Sequence, residues 1–296
     1  MTSIGYQLDL DGAPTADQVV NVASVPQRSP FRYPGGKTWL IPRVRQWLRS
    51  LPKRPSVLVE PFAGGAIVGL TVAFERLAEK VVLVELDEQV AAVWKTILSD
   101  DCEWLVGRVL SFTPTLENVR AELANTDPTT PALAFRTLVK NRTYHGGIIA
   151  PGSRPMKNGE NGRGLKSRWY PRTLAGRIRA IASIRDRITF TEGDGIAVIR
   201  TYARRKTAVF FVDPPYTAAG KRAGMRLYTH HVLDHERLFA TTARVAGDFL
   251  MTYDNAEDVA ALAVAHGMQT RTIAMKNTHH AQMTELLVGR DLSWLR

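Results

Sequence analysis

Residues Val209 to Tyr216 read Val-Phe-Phe-Val-Asp-Pro-Pro-Tyr, four strand-forming apolar residues that lead into a carboxylate, two prolines and an aromatic ring. Proline has no N–H for a sheet ladder, so the pair ends the strand at Asp213. In an open α/β sheet ligands bind at the carboxyl ends of strands, which places Asp213, Pro214, Pro215 and Tyr216 at a crevice. An acid that accepts hydrogen bonds, a stiff proline carbonyl and a ring that stacks suit the capture of a planar amine such as a nucleobase.

Four further clusters have residue types that bear on such a site. Val57 to Ala66 reads Val-Leu-Val-Glu-Pro-Phe-Ala-Gly-Gly-Ala, a strand running into a turn where Gly64 and Gly65 let a ligand approach the backbone. Glu85 closes the next apolar run and can accept hydrogen bonds from ribose hydroxyls, whereas Asp87 reads equally as a helix cap. Asp194, in Glu192-Gly-Asp-Gly195, fits either an Asx-turn or a partner for an exocyclic amine. Phe31 to Lys37 combines a turn, a cation and an aromatic ring ahead of a helix, but it lacks the glycine spacing and preceding strand of a phosphate loop.

Other chemistry is poorly served. His231 and His235 are four apart, yet no glutamate between them and no third ligand make a metal site, and none is expected. His279 and His280 fit a surface facing nucleic acid, and Cys102, beside Glu103 and Trp104, fits a structural thiol. One cysteine also excludes an internal disulfide.

These residues need strands and helices to hold them. Leu40, Val44, Trp47, Leu48 and Leu51 recur at helical spacing up to Pro52. Strands are expected at 57–60, 81–86, 188–191, 208–212, 249–253 and 284–288, with helices at 66–79, 88–98, 195–204, 234–246 and 258–266. Strand–helix–strand order predicts parallel pairing, and hence an α/β sheet interrupted by a long middle segment. Residues 1–29 read as a mobile arm or a loosely attached strand, and 149–168, rich in Gly, Pro, Asn and basic residues, as a loop.

Charge singles out that middle segment. The 296-residue chain carries 39 Lys and Arg against 28 Asp and Glu, a net +11, and is 45% apolar. Between Arg136 and Arg187 lie thirteen Lys and Arg against Glu160 and Asp186, so this segment alone accounts for 13 − 2 = +11. Such an excess points to a polyanionic partner. No apolar run approaches the roughly 20 residues of a membrane span, and the first thirty residues lack a signal-peptide pattern. A cytoplasmic protein without membrane association is expected.

Together the motifs resemble the Dam-like family of DNA adenine-N6 methyltransferases from Phe31 to Val288. Tyr33 and Lys37 match its N-terminal cofactor motif, and Glu60-Pro61-Phe62-Ala63-Gly64-Gly65 its methionine-side turn. Glu85 and Asp194 match the acids that meet ribose and adenine, and Asp213-Pro214-Pro215-Tyr216 the catalytic tetrapeptide. Asn141 to Gly146 and Trp169 to Pro171 resemble segments flanking its DNA-binding insertion, and Met251 to Asn255 and Glu285 to Leu287 also fit. The resemblance implies a seven-stranded Rossmann-like methyltransferase sheet built from 30–99 and 188–296. It implies a basic DNA target-recognition insertion of helices and loops over 100–187. The implied cofactor is S-adenosylmethionine, bound by Tyr33, Lys37, Pro61, Phe62, Gly64, Gly65, Glu85, Asp194 and Asp213, with no metal. The implied partner is double-stranded DNA, held through Asn141, Arg142, Tyr144, Arg154, Lys157, Arg163, Lys166, Arg168 and Trp169; a cognate restriction endonuclease is compatible with it. The family's turn has a further glycine where this chain has Ala66, whose methyl either crowds the cofactor or marks an earlier helix start. Methylation of RNA and an inactive DNA-binding regulator stay open beside the DNA enzyme.

Overall fold

The computed structural model describes residues 14–32, 35–156, 164–215, 233–276 and 282–295. Seven strands form one sheet: β1 (Val57–Glu60), β2 (Lys80–Glu85), β3 (Ile188–Glu192), β4 (Ala208–Val212), β5 (Phe249–Asp254), β6 (Gln269–Lys276) and β7 (Gln282–Gly289). Their order is β3-β2-β1-β4-β5-β7-β6, with β7 antiparallel to both neighbours and the rest parallel. This is the Rossmann-like α/β arrangement of methyltransferases, as expected.

The strands alternate between two apolar layers, as a period of two requires. Leu58, Leu83, Val209 and Phe211 face one layer, while Val57, Val59, Val82, Val84, Phe210 and Val212 face the other. The first layer carries α1 (Ile41–Ser50), α2 (Ile67–Glu75) and α3 (Glu88–Leu98), the last capped by Asp87, whose Oδ1 accepts from the amides of Gln89 and Val90. The second carries α8 (Gly195–Tyr202), α9 (His235–Ala243) and α10 (Glu257–Ala265).

Between β2 and β3 the chain builds four more helices, α4 (Cys102–Ser111), α5 (Leu116–Leu123), α6 (Thr130–Thr143) and α7 (Pro171–Ala182). Leu105, Val109, Phe135, Leu174 and Ile178 join the first apolar layer, so 100–187 is continuous with the core beside α3. The loop expected over 149–168 is partly built in: Ile149, Met156 and Leu165 are buried, and Leu165–Arg168 forms a short 3-10 turn.

Two other expectations change. The arm expected to be mobile over 1–29 is anchored in its described part, where the fully buried Arg43 donates to the carbonyls of Thr15, Ala16 and Gln18. Ala274 N–H donates to the Ala16 carbonyl as well. The strand β6 was not anticipated because, as an edge strand, it leaves several polar residues exposed and shows little apolar periodicity.

Candidate active site

The carboxyl ends of β1 to β4 open on a cavity of about 1280 Å³. It lies where the strand order reverses between β1 and β4, the place such sheets offer for a ligand. Lys37, Pro61, Phe62, Gly64, Gly65, Glu85, Asp194, Asp213 and Pro215 all line it, so five separate sequence motifs meet in one space. Tyr33, Tyr216, Lys157, Arg163, His231, His279 and His280 lie outside the described residues.

Two acids shape the glycine turn. Glu85 Oε2 accepts from Gly64 N at 2.8 Å, while Oε1 accepts from Leu86 and Asp87 at 2.8 and 3.0 Å. Burial raises its pKa and these amides pull it back. Glu60 Oε2 accepts from Gly69 N at 2.7 Å, a contact open only because residue 69 has no side chain: a Cβ there would lie 2.4 Å from that oxygen. Burial first, opposed by the Gly69 amide and reinforced by Asp213, holds the Glu60 carboxyl well above its ordinary pKa. Ala66 sits at φ +48°, ψ +33°, immediately before α2 begins at Ile67. The helix therefore starts no earlier, and Ala66 adopts the left-handed conformation that glycine takes without strain.

Asp213 stands at the end of β4 within a polar cluster. Lys37, only 2% exposed, places Nζ 3.0 Å from Asp213 Oδ1 and 3.5 Å from Glu285 Oε1. Thr252 on β5 donates to Asp213 Oδ1 at 2.7 Å. Glu285 on β7 has a buried Oε2 without a hydrogen-bond partner, and its pKa rises to about 7, chiefly from burial and against the pull of Lys37. Thr252 and Glu285 had no role assigned from sequence; only their place in the runs Met251 to Asn255 and Glu285 to Leu287 pointed to them. Pro214, between Asp213 and Pro215 of the lining, is buried.

Asp194 keeps both of its readings, since its Oδ1 caps α8 through Ile196 N at 2.9 Å while the residue lines the cavity. His235, considered for metal, has Nδ1 3.1 Å from the Tyr253 hydroxyl. Cys102 is buried, and burial raises its thiol pKa.

Three candidates for DNA contact turn inward. Asn141, 1% exposed, accepts from Arg32 N and donates to the carbonyls of Arg32 and Gly147. Arg142 is buried against the Pro30 carbonyl. Trp169 is buried beside Phe112 and Phe135, its indole N–H donating to Val109 O at 3.3 Å. Packing and internal hydrogen bonds use the side chains that a duplex would have to meet. Arg154 and Lys166 are exposed, and Tyr144 and Arg168 are half-buried.

Among solved structures the chain is similar to an RNA methyltransferase candidate from Pyrococcus horikoshii, at 10% identity and TM-score 0.41, over 90% of this chain and 92% of that one. It is also similar to the rRNA methyltransferase AviRa from Streptomyces viridochromogenes, at 14% identity and TM-score 0.38, over 88% and 87%. Likeness at this level says nothing of substrate. Comparison with curated proteins gives no match. The family model for D12 class N6 adenine-specific DNA methyltransferases matches residues 33–271, which takes in the glycine turn, Glu85, Asp194 and Asp213, and the chain belongs to that family of methyltransferases.

Proposed function

We propose that the protein transfers a methyl group from S-adenosylmethionine to N6 of an adenine extruded from double-stranded DNA. The observation that carries this reading is the meeting of the Glu85 and Gly64 turn with Asp213 across one cavity.

The residues present fit the cofactor. Three backbone amides occupy Glu85, and a carboxylate has about four acceptor positions, which leaves one for a ribose hydroxyl. Asp194 on the next strand end would meet the adenine, and Gly64 and Gly65 would lie along the methionine. A row of acids suits a cationic sulfonium. When bound, S-adenosylmethionine supplies an activated methyl group.

The chain's own work is to prepare the amine. The N6 lone pair is delocalised into the purine ring, so the amine is a weak nucleophile. Asp213, accepting an N6 hydrogen, favours a more tetrahedral nitrogen with its lone pair turned toward the methyl group. Lys37 and Thr252 fix the carboxylate that does this, which is catalysis by orientation and a preorganised field. Tyr216, the last residue of the tetrapeptide, would stack on the extruded base and offset part of an unstacking cost of a few kcal/mol.

The duplex would lie against the basic 100–187 region, with Arg154, Lys157, Arg163, Lys166 and Arg168 as phosphate contacts. Transfer of labelled methyl to DNA, RNA or protein tests the reading. Label on N6 of DNA adenine that disappears in Asp213→Ala is the expected result. Label on RNA alone, or unchanged turnover in that variant, overturns it.

A further inference from the structure

The lining of the cavity carries both charges: beside its acids stand Arg32, Arg168 and Arg177. None of the three forms an ion pair with an acid among the described residues, and neither does Arg142 behind them. The contrast along α7 is sharp: Arg179 holds Glu103 through Nε and Nη2 and Arg185 beyond the helix holds Asp100, yet Arg177 meets only the Ser29 carbonyl. Arg168 has a buried Nη1 with no partner at all.

The arginines are also held in place. Asn141 grips Arg32 through both its backbone N–H and its carbonyl, and Gly147 packs so closely that a Cβ would fall 2.3 Å from the Arg32 oxygen. Arg142 Nη2 donates to Pro30 O, just ahead of it. Burial lowers the pKa of Arg32, and the charge of Arg168 lowers it further; Arg142 is lowered to about 10 by burial, then by Arg177 and Arg32. These guanidinium groups therefore repel one another at a half-buried wall, an arrangement that costs stability unless an anion joins them.

We propose that Arg32, Arg168 and Arg177 form a seat for one phosphate of the DNA strand that delivers the target base into the cavity. Guanidinium forks match phosphate oxygens, and a fixed anion beside the extruded nucleotide sets how deep its base enters. The seat rests on the reading of the cavity as a nucleotide site. It differs from the exposed contacts of the basic region because its arginines line the cavity itself and one of them, Arg32, comes from the segment before α1.

The test uses the full chain saturated with S-adenosylhomocysteine, so that the cofactor end is filled, and compares dAMP with deoxyadenosine. The phosphate should tighten binding about tenfold or more. That margin should shrink below about threefold in Arg168→Gln and in Arg32→Gln and return in Arg168→Lys. Equal affinities for the wild type, or a margin untouched in both glutamine variants, overturns the seat. So does a lower unfolding midpoint in both variants, because removing one of several like charges should leave the fold no less stable. A phosphate margin without DNA methylation would retain the seat and sink the proposed activity; DNA methylation without the margin would do the reverse.

Discussion

Lys37 Nζ lies 3.0 Å from Asp213 Oδ1, tying the turn ahead of the first helices to the end of β4 across 176 residues of chain (213 − 37). The lysine is almost fully buried, while the Asp213 side chain keeps 22% of its surface. An ion pair with one partner open to a cavity holds the carboxylate in orientation and still presents it to a ligand.

Lys37→Met should therefore lower turnover more than cofactor affinity. A displaced acid costs on the order of 100-fold in kcat, and cofactor titration beside single-turnover rates separates the two effects. Lost cofactor affinity with normal turnover of the bound complex would make Lys37 a cofactor ligand instead.

Glu285 makes stability depend on pH. Its folded pKa, about 7, lies above the ordinary 4.5, with Lys37 opposing and Asp213 and Asp254 reinforcing the effect of burial. The folded state thus binds the extra proton, and the stabilisation is fully present below about pH 4.5 and lost as pH rises through about 7. The difference in unfolding midpoint between the wild type and Glu285→Gln should move in the variant's favour across that window. A difference that stays flat would contradict the assignment.

Ala66→Gly should stabilise the protein. The left-handed conformation costs an L-residue roughly 1–2 kcal/mol, and glycine's greater unfolded-state freedom takes back about 0.5–1 kcal/mol. A net gain of about 0.5–1 kcal/mol is expected from denaturant unfolding, with cofactor affinity unchanged or improved. A loss of stability would show that the Ala66 methyl packs usefully in its buried position.

Asn141→Ala and Trp169→Ala should act on the fold. The first leaves the Arg32 and Gly147 backbone groups unsatisfied, at about 1–3 kcal/mol for each buried group. The second empties a large buried volume, at about 3–5 kcal/mol. The salt dependence of DNA binding should keep its slope in Asn141→Ala, whereas Lys166→Ala should reduce it by about one unit. The opposite pattern would return Asn141 to the DNA surface.

The residues that line the cavity were legible in sequence because short motifs carry them. The apolar run before Asp213 and the prolines after it specify a strand end wherever that strand lies, and the turn before α2 is equally local. Asp87 was read correctly as a possible cap because its partners are two and three residues away. Strand β6 escaped notice because an exposed edge needs no apolar alternation. For the helices α4 to α7 the resemblance implied only a region of helices and loops over 100–187, without their bounds.

Asn141, Arg142 and Trp169 show the other limit. Their residue types suit DNA, and nothing adjacent in sequence reveals that Arg32, Pro30 and Val109 already occupy them. Glu285 likewise acquires its raised pKa only where β7 places it beside Lys37 and Asp213. Local order along the chain determined which side chains could do chemistry, because conformational preference and motif spacing act over a few residues. Burial, pairing and charge balance came from segments a hundred or more residues apart, and only the packed fold decided which of those side chains face the cavity.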